Sequence, residues 1–124
     1  MRKLSELVES QKNMAKVKNV EGHYKKPSGY EDWLGYWEQN IGKKVQTCQK
    51  KGCSNGGKLE GGHVHKVGDD EAVYLVPICY DHNHYTYTDV YEVPENMLLL
   101  VPKEDLVRDI LEDWLIEVEK SQNK

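Results

Sequence analysis

The sequence contains no phenylalanine, so tryptophan and tyrosine supply all of its aromatic side chains. It has only three cysteines, and an odd number argues against a framework held by disulfide bonds alone. No apolar run approaches the roughly 20 residues that a membrane-spanning helix needs. The first residues also lack the uninterrupted apolar centre of a secretory signal. We therefore expect a protein of the cytoplasm, where thiols stay reduced, and no membrane partner.

The length of 124 residues suits one domain with a modest core. A hydrophobic content of 38% and a charged content of 31% are those of a folded globular chain. We predict a single domain over residues 1–124. Within it, we expect residues 1–27 to form a helical or flexible N-terminal arm and residues 45–93 to form the core.

The net charge of −4 conceals an uneven distribution. Residues 43–68 carry six lysines and one glutamate, whereas residues 69–102 carry seven acidic side chains and no lysine or arginine. The basic segment suits a polyanion such as nucleic acid, although a solvated lysine-rich loop is the simpler interpretation. The acidic stretch and the acidic final helix suit a basic partner. Charge therefore leaves nucleic acid and protein as alternative partners, and the oligomeric state open.

Hydrophobic periodicity predicts two amphipathic helices, at about 29–41 and 103–120. The first has Ser28 and Glu31 in the arrangement of a capping box, and Gly42 where a C-terminal glycine would stand. The second carries one broad apolar stripe, which we expect to cover the core, with a partner-binding helix as the alternative. This stripe consists of Leu106, Val107, Ile110, Leu111, Trp114, Leu115 and Val118.

Two β-prone runs lie between these helices, GHVHKV and EAVYLVPIC, and the turn sequence VGDDE joins them. This pattern is typical of a β-hairpin. A hairpin flanked by amphipathic helices predicts an α+β fold.

All three cysteines and four of the five histidines fall within residues 48–84. Cys48 and Cys53 are separated by four residues, and Cys79 and His82 form a second pair with the spacing C-x-x-H. Two short pairs brought together by the fold are the usual arrangement of a structural zinc site. We therefore predict Zn²⁺ bound by these four side chains, rather than inert buried cysteines and surface histidines. The competitors of His82 for the fourth position are His63, His65 and His84.

The order of Cys-x4-Cys, GGHV and YLVPICYDHNH resembles the treble-clef zinc region of the HNH-nuclease-like superfamily. The resemblance covers residues 48–84 and rests mainly on Gly62-His63-Val64, Val76-Pro77-Ile78-Cys79 and His82-Asn83. It implies that the zinc-binding core of residues 45–93 is a small treble clef, made of a zinc knuckle and a β-hairpin whose first strand starts with a histidine. A short helix would follow the hairpin, and the two flanking helices lie outside the match.

The resemblance also implies chemistry at a second site. His63 would be the general base that activates water, and Mg²⁺ or Mn²⁺ would hold the scissile phosphate. Asn83 or His84 would lie where a ligand of that ion is expected. The sequence departs from the family because Gly62 replaces the usual metal-binding residue and Tyr74 replaces the middle asparagine.

His65 alternates with His63, so both side chains would share one face of a strand. They would form a second metal site or contact phosphate, although two exposed strand residues are the simpler interpretation. A zinc-binding module for nucleic acid or protein is therefore our leading functional hypothesis. The alternatives are a divergent metal-dependent endonuclease and an acidic protein-interaction or inhibitory module.

Overall fold

A computed structural model describes residues 13–122. It has an α+β fold, as predicted, with a five-stranded antiparallel sheet in the order β4-β1-β2-β3-β5. Among the described residues, no helix is both long and apolar enough to cross a membrane. The strands are β1 (Met14–Asn19), β2 (Leu59–Lys66), β3 (Asp69–Cys79), β4 (Tyr91–Pro94) and β5 (Leu99–Leu100). The helices are α1 (Trp33–Ile41), α2 (Tyr80–Asn83) and α3 (Ile110–Gln122).

Strand β1 lies inside the segment for which the sequence predicts a helical or flexible arm, residues 1–27. It pairs with β2 on one side and β4 on the other. Ala15 and Val17 are buried and the lysines between and after them are exposed, which is the period of a strand. The prediction therefore differs from the structure at Met14–Asn19, and its residues 1–12 lie outside the described part of the chain.

The hairpin of β2 and β3 forms the middle of the sheet. Its strands pair from Leu59 opposite Cys79 to Lys66 opposite Asp69, which confirms the hairpin. The turn is tighter than predicted, since the last three residues of VGDDE already belong to β3.

Helix α1 packs directly onto the hairpin at Gly61. A Cβ atom at this position would lie 2.8 Å from the carbonyl carbon of Trp33, so a side chain would push the helix away. One turn further along, Trp37 is fully buried and its Nε1 donates to the carbonyl oxygen of Met97 at 2.8 Å. The close contact at Gly61 therefore lets the indole of Trp37 fill the core.

The start of α1 differs from the prediction. The helix begins at Trp33, and the Oδ1 of Asp32 accepts a hydrogen bond from the Gly35 N–H at 2.7 Å. The predicted cap, Ser28, lies in a separate turn, because the Tyr30 N–H already bonds to the carbonyl of Pro27. The predicted end is confirmed, since the C-cap Gly42 has φ 78 and its N–H bonds to the Glu38 carbonyl.

The expectation that the last helix covers the core is wrong. Residues 103–105 form a separate 3-10 turn, and α3 begins only at Ile110. None of its side chains is buried, and Ile110 and Trp114 are 76% and 60% exposed. Asp113 attaches the helix to the rest of the protein by a hydrogen bond from the His23 N–H, and the part of the apolar stripe from Val107 to Leu115 is exposed. Leu106, before the helix starts, does pack against the core.

We predict that Asp32→Ala lowers the free energy of unfolding by about 1 kcal/mol, because it leaves an N-terminal N–H group of α1 without its acceptor. The matched change Ser28→Ala should have little effect. Urea unfolding followed by tryptophan fluorescence measures both. Equal losses in the two variants would contradict the capping assignment.

Candidate metal centre

Cys48 and Cys53 lie in the irregular connection between α1 and β2. A turn brings them together. In this turn the Cys53 N–H bonds to the Lys50 carbonyl at 3.0 Å, and Gly52 has a φ of 85°. This left-handed conformation favours glycine. The neighbouring Gln49 N–H bonds to the carbonyl of Pro77 in β3 at 3.0 Å. This contact carries the first cysteine pair to the end of the hairpin.

Cys79 is the last residue of β3, and His82 follows one turn later in α2. The strand fixes Cys79 in the core, where it is 1% exposed. The short helix then turns the imidazole of His82 back toward the sulfur atoms. The second pair therefore depends on the change from strand to helix at residues 79 and 80.

The four predicted ligands converge on one point. Their donor atoms all lie within 4.8 Å of one another. The Nδ1 of His82 is 3.1 Å from the Sγ of Cys79 and 3.7 Å from the Sγ of Cys48. Tetrahedral zinc with ordinary bond lengths would place sulfur and nitrogen about 3.6 Å apart. The donor set fits a zinc ion, and this cluster could hold a metal.

The thiols and the imidazole differ in how the protein affects their protonation. Burial raises the pKa of Cys48 to about 11. The backbone N–H of Asn55 lowers the pKa of Cys53. Partial burial, with a smaller contribution from Lys50, lowers the pKa of His82 and favours the neutral imidazole that binds metals. Burial opposes the thiolate form of Cys48, and a bound cation would favour it.

Asn19 supports the site from β1, and nothing in the sequence indicates this role. Its Nδ2 donates to the carbonyl oxygens of His82 at 2.7 Å and Tyr87 at 3.3 Å. Its Oδ1 accepts from the hydroxyl of Tyr91 at 2.6 Å. The ring of Tyr87 in turn packs edge-on against the ring of His82. These contacts fix the backbone and ring of His82.

The other predicted site residues do not join this cluster. The Nδ1 of His65 is 2.9 Å from the carbonyl oxygen of Ala72. Asn83 donates to the Oε1 of Glu60, and the Nδ1 of His84 is 2.8 Å from the Thr86 hydroxyl. Within residues 13–122, the Cys48 cluster is the one group of three or more His, Cys, Asp or Glu side chains close enough to hold a metal.

His63 lies at a cleft of about 570 Å³ between the segment 18–24, the loop after α2 and helix α3. Its ring contacts the rings of Trp33 at 4.5 Å and Tyr24 at 4.9 Å between centroids. Burial, and then the charges of His23 and Arg108, lower its pKa to about 3. Its Nε2 is buried and has no hydrogen-bond partner. The imidazole is therefore neutral at pH 7.

No protein-family model, curated protein or solved structure matches this chain.

We predict that His63 makes the protein less stable as the pH falls from 7 to 5. Its pKa is about 3 when folded and 6.5 ordinarily, so between these values the unfolded chain binds the proton and the folded protein does not. The loss should reach about 1.4 kcal/mol per pH unit. His63→Phe keeps a ring in place and should remove this contribution, which urea unfolding at each pH measures.

His65→Phe, on the same strand, is the matched control. Acid release of a bound metal would affect all three proteins alike, so the differences between them isolate the imidazole. Parallel pH profiles for the wild type and His63→Phe would show that His63 is not buried in its neutral form.

Proposed function

We propose that this protein is a zinc-stabilised nucleic-acid-binding module of the HNH-like treble-clef type. The observation that carries the proposal is the convergence of Cys48, Cys53, Cys79 and His82 within 4.8 Å. Around a zinc ion, three thiolates and one imidazole would form a closed tetrahedral set, which is typical of structural rather than catalytic zinc.

A zinc ion at this position would supply order that the chain otherwise lacks. Residues 42–58 contain neither helix nor strand, and only Cys48 among them is buried. The ion would cross-link this loop to the end of β3 and to α2. Because the ligands are dispersed in the unfolded chain, much of the binding free energy of the ion would stabilise the fold.

We predict that purified protein binds about one equivalent of zinc, and that His82→Ala loses it. His84→Ala, two residues away, should keep it, because the His84 side chain contacts Thr86 and not the sulfur atoms. Metal analysis by mass spectrometry gives the stoichiometry, and thermal unfolding with and without a chelator gives the stabilisation. Zinc-free protein with an unchanged melting temperature would sink the proposal.

The loop of residues 42–58, which we call the zinc-binding loop, carries the basic surface that supports nucleic-acid binding. Lys43, Lys44, Lys51 and Lys58 are exposed, and residues 43–58 contain no acidic side chain. Of these four lysines, only Lys51 forms an ion pair within residues 13–122, with Glu92 at 3.3 Å. The others are free to contact phosphates, and the zinc would hold their backbone in a fixed arrangement.

We predict salt-dependent binding to nucleic acid that is weakened by the double change Lys43→Gln and Lys44→Gln. Removing two phosphate contacts should reduce the slope of log K against log salt by about 2 on duplex DNA. Fluorescence anisotropy with labelled duplex DNA and single-stranded RNA measures this. Lys25→Gln with Lys26→Gln removes an equally exposed pair elsewhere and should have less effect. Equal weakening would indicate non-specific charge attraction.

The alternative proposal, a metal-dependent endonuclease, depends on His63. The unpartnered Nε2 of this residue beside the cleft favours it, whereas a pKa of about 3 makes the imidazole a weak base at neutral pH. Plasmid nicking with Mg²⁺ or Mn²⁺ in the same preparations decides between them. Nicking that His63→Phe abolishes and His65→Phe retains would replace the binding module with an enzyme.

A further inference from the structure

Helix α3 presents an apolar surface to solvent. Ile110, Leu111, Trp114 and Leu115 are 76%, 66%, 60% and 46% exposed. With about 3.6 residues per turn, these positions lie on one side of the helix. Val107, which is 52% exposed, extends the surface before the helix starts. We call these five side chains the outer stripe.

Polar contacts fix the helix in this orientation. The Oδ1 of Asp113 accepts from the backbone N–H of His23 at 2.7 Å, and Nη1 of Arg108 donates to the carbonyl of Glu21 at 2.7 Å. The Lys25 N–H also bonds to the carbonyl of Val107 at 2.7 Å. Turning the outer stripe toward the core would break these bonds. The stripe is therefore exposed because the opposite side of the helix is already attached.

Carboxylates border the outer stripe on both sides. Glu112 and Glu119 lie one turn before and one turn after Leu115, and Glu117 lies one turn after Trp114. All three are exposed. Of these three glutamates, only Glu117 forms an ion pair within residues 13–122, with Lys120 at 3.6 Å. An occupant of the stripe would therefore meet an acidic border.

We propose that the outer stripe docks a basic amphipathic helix of another protein. The apolar face of that helix would cover Leu111, Trp114 and Leu115, and its lysine or arginine side chains would meet the glutamates beside them. A second copy of this chain fits poorly, because two such helices would bring their acidic borders together. Helix α3 has 13 residues, so an occupant of about three turns would match its length. This surface is separate from the metal cluster and from the lysines of the zinc-binding loop.

The test uses a synthetic leucine and lysine peptide about 18 residues long, with leucine at helical spacing. One control peptide has the same composition in scrambled order, and a second has glutamate in place of lysine. We expect saturable binding of the first peptide alone, with a blue shift of tryptophan emission as Trp114 becomes covered. Leu111→Ser with Leu115→Ser should weaken binding at least about tenfold.

The matched apolar control is Val67→Ser with Val90→Ser, which changes two residues that are also exposed, at 57% and 52%, and should leave binding intact. Glu112→Gln with Glu119→Gln should weaken binding and reduce its salt dependence. Asp69→Asn with Asp70→Asn, in the hairpin, should do neither. Zinc content and nucleic-acid binding should be unchanged in all four variants, so a failure here is distinct from a failure of the proposed function.

Several results would overturn the proposal. Equal binding of the scrambled peptide, or unchanged binding by the leucine variant, would exclude the stripe as a helix-docking surface. A dimer seen by light scattering that Leu111→Ser with Leu115→Ser dissociates would identify a second copy as the occupant. A red shift of Trp114 emission after deletion of residues 1–12 would identify that segment of the chain instead.

Discussion

The close approach of α1 to the middle of the sheet is the constraint on which the rest of the structure depends. It is allowed by the missing side chain at Gly61, where a Cβ atom would overlap the backbone of Trp33. With the helix in this place, Trp37 fills the core and bonds to Met97. The connection that leaves the end of α1 then passes beside Pro77, and the Gln49 N–H bonds to the Pro77 carbonyl. The loop that contains Cys48 and Cys53 reaches the end of β3 because α1, which precedes it, lies against β2.

The convergence of the two Cys and His pairs could be predicted from the sequence because the residues of each pair lie close together in the chain. Cys48 and Cys53 need only one tight turn, and Cys79 and His82 need only the start of a helix. The hairpin was predictable for the same reason. Asn19 was not, because its hydrogen bond to His82 joins residues 63 positions apart, and a polar residue in a lysine-rich segment carries no signal of such a partner.

The orientation of α3 also depends on contacts between residues far apart in the chain, so it could not be predicted. Its apolar periodicity indicates an amphipathic helix and says nothing about which side is attached. That choice depends on Asp113, which bonds to His23 across 90 positions of the chain. The cap of α1 shows the same limit on a smaller scale, since Ser28 and Asp32 are both suitable residues and the turn at Pro27 selects the second. Apolar periodicity therefore predicts which side chains share one side of a helix, whereas single polar contacts determine whether that side is buried or exposed.

The link between Asn19 and His82 has a consequence for the order of folding. The hairpin and the two ligand pairs join residues close in sequence, so they can assemble early, before long-range contacts form. The side chain of Asn19 must close loops of 63 positions to His82 and 72 positions to Tyr91 before its hydrogen bonds contribute. We therefore expect the Asn19 contact that fixes His82 to form after the hairpin and the two local pairs. In a chain emerging from the ribosome, β1 is made before its partners, and Asn19 gains the hydrogen bond from the Tyr91 hydroxyl only when position 91 is available.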